Sequence, residues 1–502
     1  MKTKGKRHPN CNDSCPGYPI ICDQLGRSAS SHICAQAYDN AEQEPADPPR
    51  APSSAMSIII EPAYAQPPSI PPLPKPKLRL LCTIEKKYRN TSQFATSDDW
   101  MNSALWSSTS IEEELYNRLS ADLSLQGFMF PLAGGGIPII SGFQNVLVYD
   151  WCYVLAVGLQ HSGLFEVDFM VWEEVKERLQ QSTHGFAEYI KASGYHGVVG
   201  FAELGVDLTD AGYGFSASYS KESYITDVLT LAGEVPVWPP VAEMLHYGKK
   251  IDTIKRLDII AANITRTARP VTTLLTPGQH IPPNSVLKRE YSDEGRHVQF
   301  LHKSTPPIDS QQRWMVQERV ELLLQLGEIR VFIVEHDILY RMLTTPTLKT
   351  NRKNKKSVTL TGSWSWSPYE RPYSLSHIGN ALKNAEASGK QLTADEMKET
   401  GSARDDPDAI KELDDFVRTT LRALVEMEVR SIGRSSLPQF CRMDIGFMRT
   451  ASDKVEYFVN EIERGPNVAL WSTGPNRQNL GVVSAALARA LYSYFLTENN
   501  LL

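Results

Sequence analysis

The chain has 502 residues, 41% apolar and 22% charged, with a formal net charge of −6. That length suffices for two or three domains with buried cores, and the acidic balance gives no electrostatic case for nucleic acid or an anionic membrane as partner. No stretch approaches the roughly 18 uninterrupted apolar residues of a membrane span, and the basic start MKTKGKRHPNCND has no apolar core behind it, so no signal peptide and a cytoplasmic location are expected.

Residues 1–76 read as a disordered, Pro-rich tail ending in PPSIPPLPKPK, a solvated segment or a polyproline ligand. Cys11, Cys15, Cys22 and Cys34 crowd there beside His8 and His32, but their spacing matches none of the paired C-x-x-C zinc patterns. Cys82, Cys152 and Cys441 sit in apolar, strand-like contexts and read as small core residues.

Residues 77–240 form the first expected domain. LRLLCTI reads as a buried strand, and IEEELYNRLSADLSLQG as a helix with Ser110 as N-cap and Gly127 as stop. Apolar runs at VLVYDWCYVLAVGL and VDFMVWEEVKERLQ follow, then a helix at FAEYIKASG, the run YHGVVGFAEL and a last strand, EVPVWPP. Strands alternating with helices predict an α/β layer, mainly parallel, with an exposed face that would be the natural place for a homodimer contact. The glycine run Gly134–Gly136 lacks GxGxxG spacing, and neither a GxSxG elbow nor HExxH occurs, which sets aside dinucleotide, serine-hydrolase and zinc-protease readings.

Residues 241–316 follow as a second unit. AEMLHYGKKIDTIKRL patterns as one amphipathic helix with a basic patch of Lys249, Lys250, Lys255 and Arg256. RPVTTLLTPG precedes SVLKREYSDEGRHVQFL, where two strands flank the turn Ser292–Gly295, and Lys288 stands at the end of the first. In residues 317–502, an apolar run is broken at Gln317–Glu318 and resumes after Gly327, with Glu328 and Arg330 on one strand face. The stretch from about 345 to 408 reads as a polar insertion, with the basic run TLKTNRKNKKS and an aromatic loop, LTGSWSWSPYERPYS. A helix, KELDDFVRTTLRALVEMEV, leads to two adjacent strands, RMDIGFM and VEYFVNEIER, joined by a polar turn at Ser452–Lys454. Asp444, Glu461 and Glu463 sit on these strands where apolar residues would suit burial better, and Glu461 and Glu463, two apart, share a face. Converging carboxylates repel unless a cation lies between them. Oxygen-only donors suit a hard ion such as Mg2+, which shares its sphere with substrate phosphates. The plainer alternative is a hairpin with acids on its wet face; Arg442 beside Asp444 and the turn at Gly465–Pro466 favour the site.

Taken in order, these elements resemble the ATP-grasp superfamily over about residues 230–495, nearest in hinge pattern to the ribosomal-protein glutamate ligase branch. The resemblance implies an α+β fold, two subdomains clamping ATP, preceded by an α/β domain. It implies that Lys250, Lys288 and Arg296 meet the phosphates, that Gln317, Glu318 and Val320 line the adenine, and that Glu328 holds the ribose. Asp444, Glu461 and Glu463 would bind Mg2+ (two ions, Mn2+ substituting), while Arg330 and Arg442 would stabilise the oxyanion. Two features depart from the pattern: Glu461-Ile462-Glu463 stands where Glu-x-Asn is usual, and the turn SDEGRHV has one glycine where a glycine-rich flap is common. The chemistry implied is phosphoryl transfer to a carboxylate followed by amide formation with an amine. A kinase acting on a polyanionic hydroxyl compound such as an inositol phosphate, and a non-catalytic ATP-binding protein, are the rival readings.

Overall fold

The computed structural model describes residues 76–84, 106–113, 116–117, 129–131, 141–149, 162–200, 218–247, 250–276, 278–290, 298–300, 313–350, 358–369, 372–393, 397, 407–464 and 480–501. The Pro-rich tail, its four cysteines, Cys152, the glycine run at 134–136 and the turn bearing Arg296 and His297 lie outside them.

The predicted α/β layer is present. Strands β1 (Leu78–Ile84), β5 (Phe165–Val171), β6 (Gly197–Val199) and β7 (Val237–Trp238) form a sheet in the order β5-β1-β6-β7, with every pairing parallel. Its strands are short apolar runs because both faces are covered. Helices α1 (Trp172–Gln181), α2 (Thr183–Ala192) and α3 (Lys221–Glu234) supply Val175, Leu179, Phe186, Ile190, Val228 and Leu231 to one core. Ser182 and Ser220 cap α2 and α3 through their hydroxyls.

The expected N-cap at Ser110 is corrected. Trp106–Glu112 is strand β2, paired antiparallel along its length with β4 (Phe143–Tyr149), which also pairs with β3 (Met129–Pro131). Serine caps helices well, but in WSSTSIE it belongs to a Ser/Thr-rich segment whose backbone groups are satisfied by a neighbouring strand, and that pairing overrides the local signal.

Within the expected basic helix the described residues form α4 (Val241–Tyr247) and α5 (Lys250–Ile260), with 248 and 249 outside them. Ile251, Ile254, Leu257 and Ile260 of α5 are buried at i, i+3, i+6 and i+9. A four-stranded antiparallel sheet follows in the order β10-β9-β11-β8: β8 is Thr272–Leu274, β9 Ser285–Arg289, β10 Val298–Phe300 and β11 Trp314–Glu318.

The second antiparallel sheet has five strands in the order β14-β13-β12-β15-β16. Helix α6 (Glu321–Gln325) links β11 to β12 (Glu328–Val334), and β13 (Asp337–Thr350) pairs with β14 (Val358–Pro368). The latter corrects the expected loop at LTGSWSWSPYERPYS, of which the part up to Pro368 is strand. SWSWS alternates with period two and is strand, as a residue-by-residue alternation dictates, and Leu375–Ala387 follows as helix α7. Helix α8 (Pro407–Ile432) opens with proline at its first position and an acidic first turn, and stops at Gly433, φ +80°. Its Leu413, Val417, Leu421 and Leu424 pack with Ile329, Val331, Ile333, Met443 and Ile445 of the sheet. Each such burial stabilises by about 1.5–3 kcal/mol. Strands β15 (Cys441–Arg449) and β16 (Val455–Arg464) form the expected hairpin, and α9 (Leu480–Glu498) buries Leu487, Leu491 and Phe495. Tyr494 at its end donates to the Val237 carbonyl at 2.8 Å, so the last helix returns to the parallel sheet. No helix among the described residues is long and apolar enough to cross a membrane.

Gly327 sets where β12 begins. Its φ of +83° is open to glycine, and a Cβ there would run into the Thr344 carbonyl oxygen. Gly327→Ala should therefore lower unfolding free energy by more than about 1 kcal/mol in urea titrations; an unchanged midpoint would show that β12 does not depend on this approach.

Candidate functional site

Alternation along the five-stranded sheet sends its apolar residues to the α8 side and its charged residues to the other. The pairing register then lines them up. Arg330 of β12 is opposite Asp444 of β15, which is opposite Glu461 of β16; in the next row Phe332, Arg442 and Glu463 are aligned. Directly opposed side chains on one face have Cβ atoms about 4.5–5.5 Å apart, so Asp444 and Glu461 repel unless compensated. Arg442 compensates the first: its Nε and a terminal nitrogen donate to both Asp444 oxygens at 2.7 and 2.8 Å, and the two side chains are 5% and 2% exposed. Its distance to Glu463 is 4.0 Å. Arg330 lies 3.6 Å from Glu328 and donates to Thr344, itself bonded to the Glu328 carbonyl.

Two lysines come from the other side of the junction. Lys250, at the start of α5, makes an ion pair with Glu461. Lys288, on β9, reaches Asn460 of β16 at 3.5 Å. Asn460 in turn donates to Glu328 at 2.7 Å. The four-stranded sheet and the charged face of the five-stranded sheet thus meet at these side chains, and Lys288 lies beside the acids of β16.

The acids differ in state. Burial opposes ionisation of Glu461, but Lys250 and Lys288 outweigh it and bring the carboxyl down to about 2. Burial and the neighbouring Glu461 charge push Glu463 up to about 8. Glu328 is also raised, by burial and then by Asp444. Burial lowers Lys288, against the pull of Glu461.

Of the sequence-predicted residues, Lys250, Lys288, Glu328, Arg330, Arg442, Asp444, Glu461 and Glu463 converge here. Gln317, Glu318 and Val320 stand at the link between the sheets: Gln317 is buried and donates to Thr272 at 3.1 Å, Glu318 accepts from the Val271 amide at 3.3 Å, and Val320 joins the core around α6. Lys255 is exposed on α5, and Arg296 lies outside the described residues. Asn460 and Thr344 belong to the cluster without having been singled out in the sequence. A strict period of two places Asn460 on the face away from Glu461, but the register shifts between Asp444 and Ile445: Asp444 opposes Glu461 while Ile445 opposes Val459. Asn460 is the extra residue of a β-bulge and turns to the charged face. A polar residue flanked by Val459 and Glu461 in a buried strand was the available signal.

Asp444, Glu461 and Glu463 supply only oxygens, from adjacent strands, as a hard divalent cation requires. The donor atoms are of the kind Mg2+ takes, but both Asp444 oxygens are held by Arg442 and Glu461 is paired with Lys250.

No family model and no curated protein matches the sequence. Among solved structures the chain is similar to D-cycloserine synthetase DcsG, at 12% identity over 69% of this chain and 95% of that one, TM-score 0.41. It is similar to D-alanine–D-alanine ligase from Bacillus anthracis complexed with ATP, at 8% identity over 85% and 99%, TM-score 0.39. It is also similar to the ATP-grasp ligase PsnB complexed with minimal precursor, at 13% identity over 54% and 70%, TM-score 0.28. The chain's own arrangement is two antiparallel sheets with helices, meeting at a charged junction, beside a parallel α/β layer.

Because Arg442 and Asp444 are buried together, removing one strands the other. Arg442→Met should cost about 3–5 kcal/mol of stability in denaturant titrations, whereas Glu461→Gln, at a side chain 30% exposed, should cost far less. Equal losses would show that Asp444 is not held by Arg442.

Proposed function

We propose that the protein is an ATP- and Mg2+-dependent ligase joining a carboxylate, of an amino acid or small peptide, to an amine. The observation that carries this reading is the meeting of two lysines, Lys250 and Lys288, with three carboxylates on neighbouring strands, Asp444, Glu461 and Glu463. Lysines alone would suit any anion, and carboxylates alone any cation. Together they suit a polyphosphate that carries its own metal.

In this reading Lys250 and Lys288 hold the phosphates, Gln317, Glu318 and Val320 flank the adenine, and Glu328 accepts from the ribose hydroxyls. When bound, Mg2+ held by Asp444, Glu461 and Glu463 neutralises charge on the transferring group. The substrate carboxylate oxygen attacks the γ-phosphorus, the bond to the β-phosphate oxygen breaks, and ADP and an acyl phosphate result. The amine then attacks the acyl carbon, losing a proton, and phosphate leaves. Arg330 faces the acyl group and stabilises the oxyanion of that second step. Arg442 acts on Asp444, fixing the orientation of its carboxylate and offsetting its charge.

ADP release screened over pairs of carboxylic acids and amines tests the reaction. It should require both partners and Mg2+ and yield free phosphate. Asp444→Asn or Glu461→Gln should abolish turnover while leaving the fold intact. Phosphate retained on a hydroxyl product would identify a kinase instead, and ATP binding without turnover on any acceptor a non-catalytic protein.

The Lys250–Glu461 pair has a second consequence. Lys250 cannot serve phosphate while it neutralises Glu461, so metal and nucleotide favour each other by trading partners. With a chelator present, Glu461→Gln should bind ATP about tenfold more tightly than the wild type, a change of about 1.4 kcal/mol, and should lose the Mg2+ enhancement. Calorimetry showing weaker metal-free binding in this variant would reject the exchange.

A further inference from the structure

We propose that Asn460 is a positioning residue of the nucleotide site, tying Lys288 of the four-stranded sheet to Glu328 of the five-stranded one; the proposal rests on the ATP reading above. The β-bulge brings its side chain onto the charged face of β16. There its oxygen accepts from Lys288 at 3.5 Å and its nitrogen donates to Glu328 Oε1 at 2.7 Å. The amide orientation follows from its partners: an ammonium can only donate, and an ionised carboxylate can only accept. An amide is a side chain that offers one of each from a single position.

Both partners need that service. Glu328 is 8% exposed and Lys288 half-buried, and buried charges are held only by donors or acceptors aimed at them. The second oxygen of Glu328 faces Arg330 at 3.6 Å. The carboxylate is thus fixed from two sides, by Asn460 on one oxygen and Arg330 on the other, with lone pairs left for an incoming hydroxyl donor. Lys288 is held by a neutral acceptor, whose grip on an ammonium is weaker than a carboxylate's, and so it remains available to phosphate. Asn460 therefore sets the spacing between the group that meets the sugar and the group that meets the phosphates.

Asn460→Asp keeps the shape and reverses half the chemistry. An acceptor would oppose Glu328 Oε1, turning the carboxylate away or placing a proton on it, and a full charge would compete for Lys288. Asn460→Ala removes both contacts. The test is calorimetric binding of Mg·ATP and of Mg·2′,3′-dideoxy-ATP to wild type and both variants, with thermal unfolding alongside. Wild type should prefer ATP. Asn460→Asp should lose about tenfold or more in ATP affinity, with its preference for ATP over the dideoxy nucleotide shrinking towards one, and Asn460→Ala should move the same way. A folded variant with wild-type affinity and preference would overturn the proposal. So would reduced affinity with unchanged preference, which signals general electrostatics only, or failure of both variants to fold, which makes Asn460 a structural residue alone. Wild type that binds neither nucleotide would sink the ATP reading itself.

Discussion

The whole site depends on keeping eight ionisable groups packed at one junction. Lys250, Lys288, Arg330 and Arg442 face Glu328, Asp444, Glu461 and Glu463, four against four. An ion withdrawn from water without a partner costs several kcal/mol, so no member of the set can be moved or removed independently. The pairs are nonetheless unequal. Arg442 and Asp444 are bidentate, on one strand and almost wholly buried, and separating them would strand two charges. Lys250 and Glu461 come from separate segments and are 29% and 30% exposed, so water softens the cost of parting them. The first pair is scaffold, and the second parts at a lower cost.

A second buried cluster explains why β16 holds its acids steady. Arg464, at the end of that strand, donates to Glu428 of α8 at 2.6 Å and to Glu243 of α4 at 3.1 Å, and both glutamates have no exposed side-chain surface. Glu243 also accepts from the Ser436 amide at 2.8 Å. Arg464 neighbours Glu463 but points to the other face of the sheet, as alternation requires. The segment carrying Glu461 and Glu463 is therefore pinned at one end by this cluster and at the other by the bulge at Asn460. Helix α4 follows directly on the parallel layer, so the position of the acidic strand is tied to the packing of the preceding α/β layer.

How much of this could be read from the sequence depended on whether a signal was local. Strands β15 and β16 were legible because apolar alternation and a polar turn need no knowledge of neighbours, and Glu328 and Arg330 shared a face for the same reason. Strand β2 was not, since Ser110 offers a helix cap that only the partner strand β4 defeats. The hairpin of β13 and β14 was hidden by its own composition. Threonine, serine and lysine look like loop until SWSWS is read for period rather than polarity. Asn460 was hidden by register: a one-residue bulge reverses its face, and a bulge belongs to a pair of strands, not to either alone. The Glu461–Lys250 contact spans 211 positions and has no local signature at all.

The departure at Glu463 also takes on a physical meaning. A second glutamate, where the pattern that the sequence resembles has an amide, looks like surplus negative charge beside Asp444 and Glu461. Burial and Glu461 hold its carboxyl up at about 8, so near neutral pH it carries a proton and is uncharged, as an amide would be. Glu461, held down by the two lysines, carries the charge of the pair. Two carboxylates one strand-repeat apart have been driven to opposite states by their surroundings. Glu463 thus adds a carboxyl group without adding a standing charge, and the junction tolerates it because the lysines stabilise one of the two acids and not both.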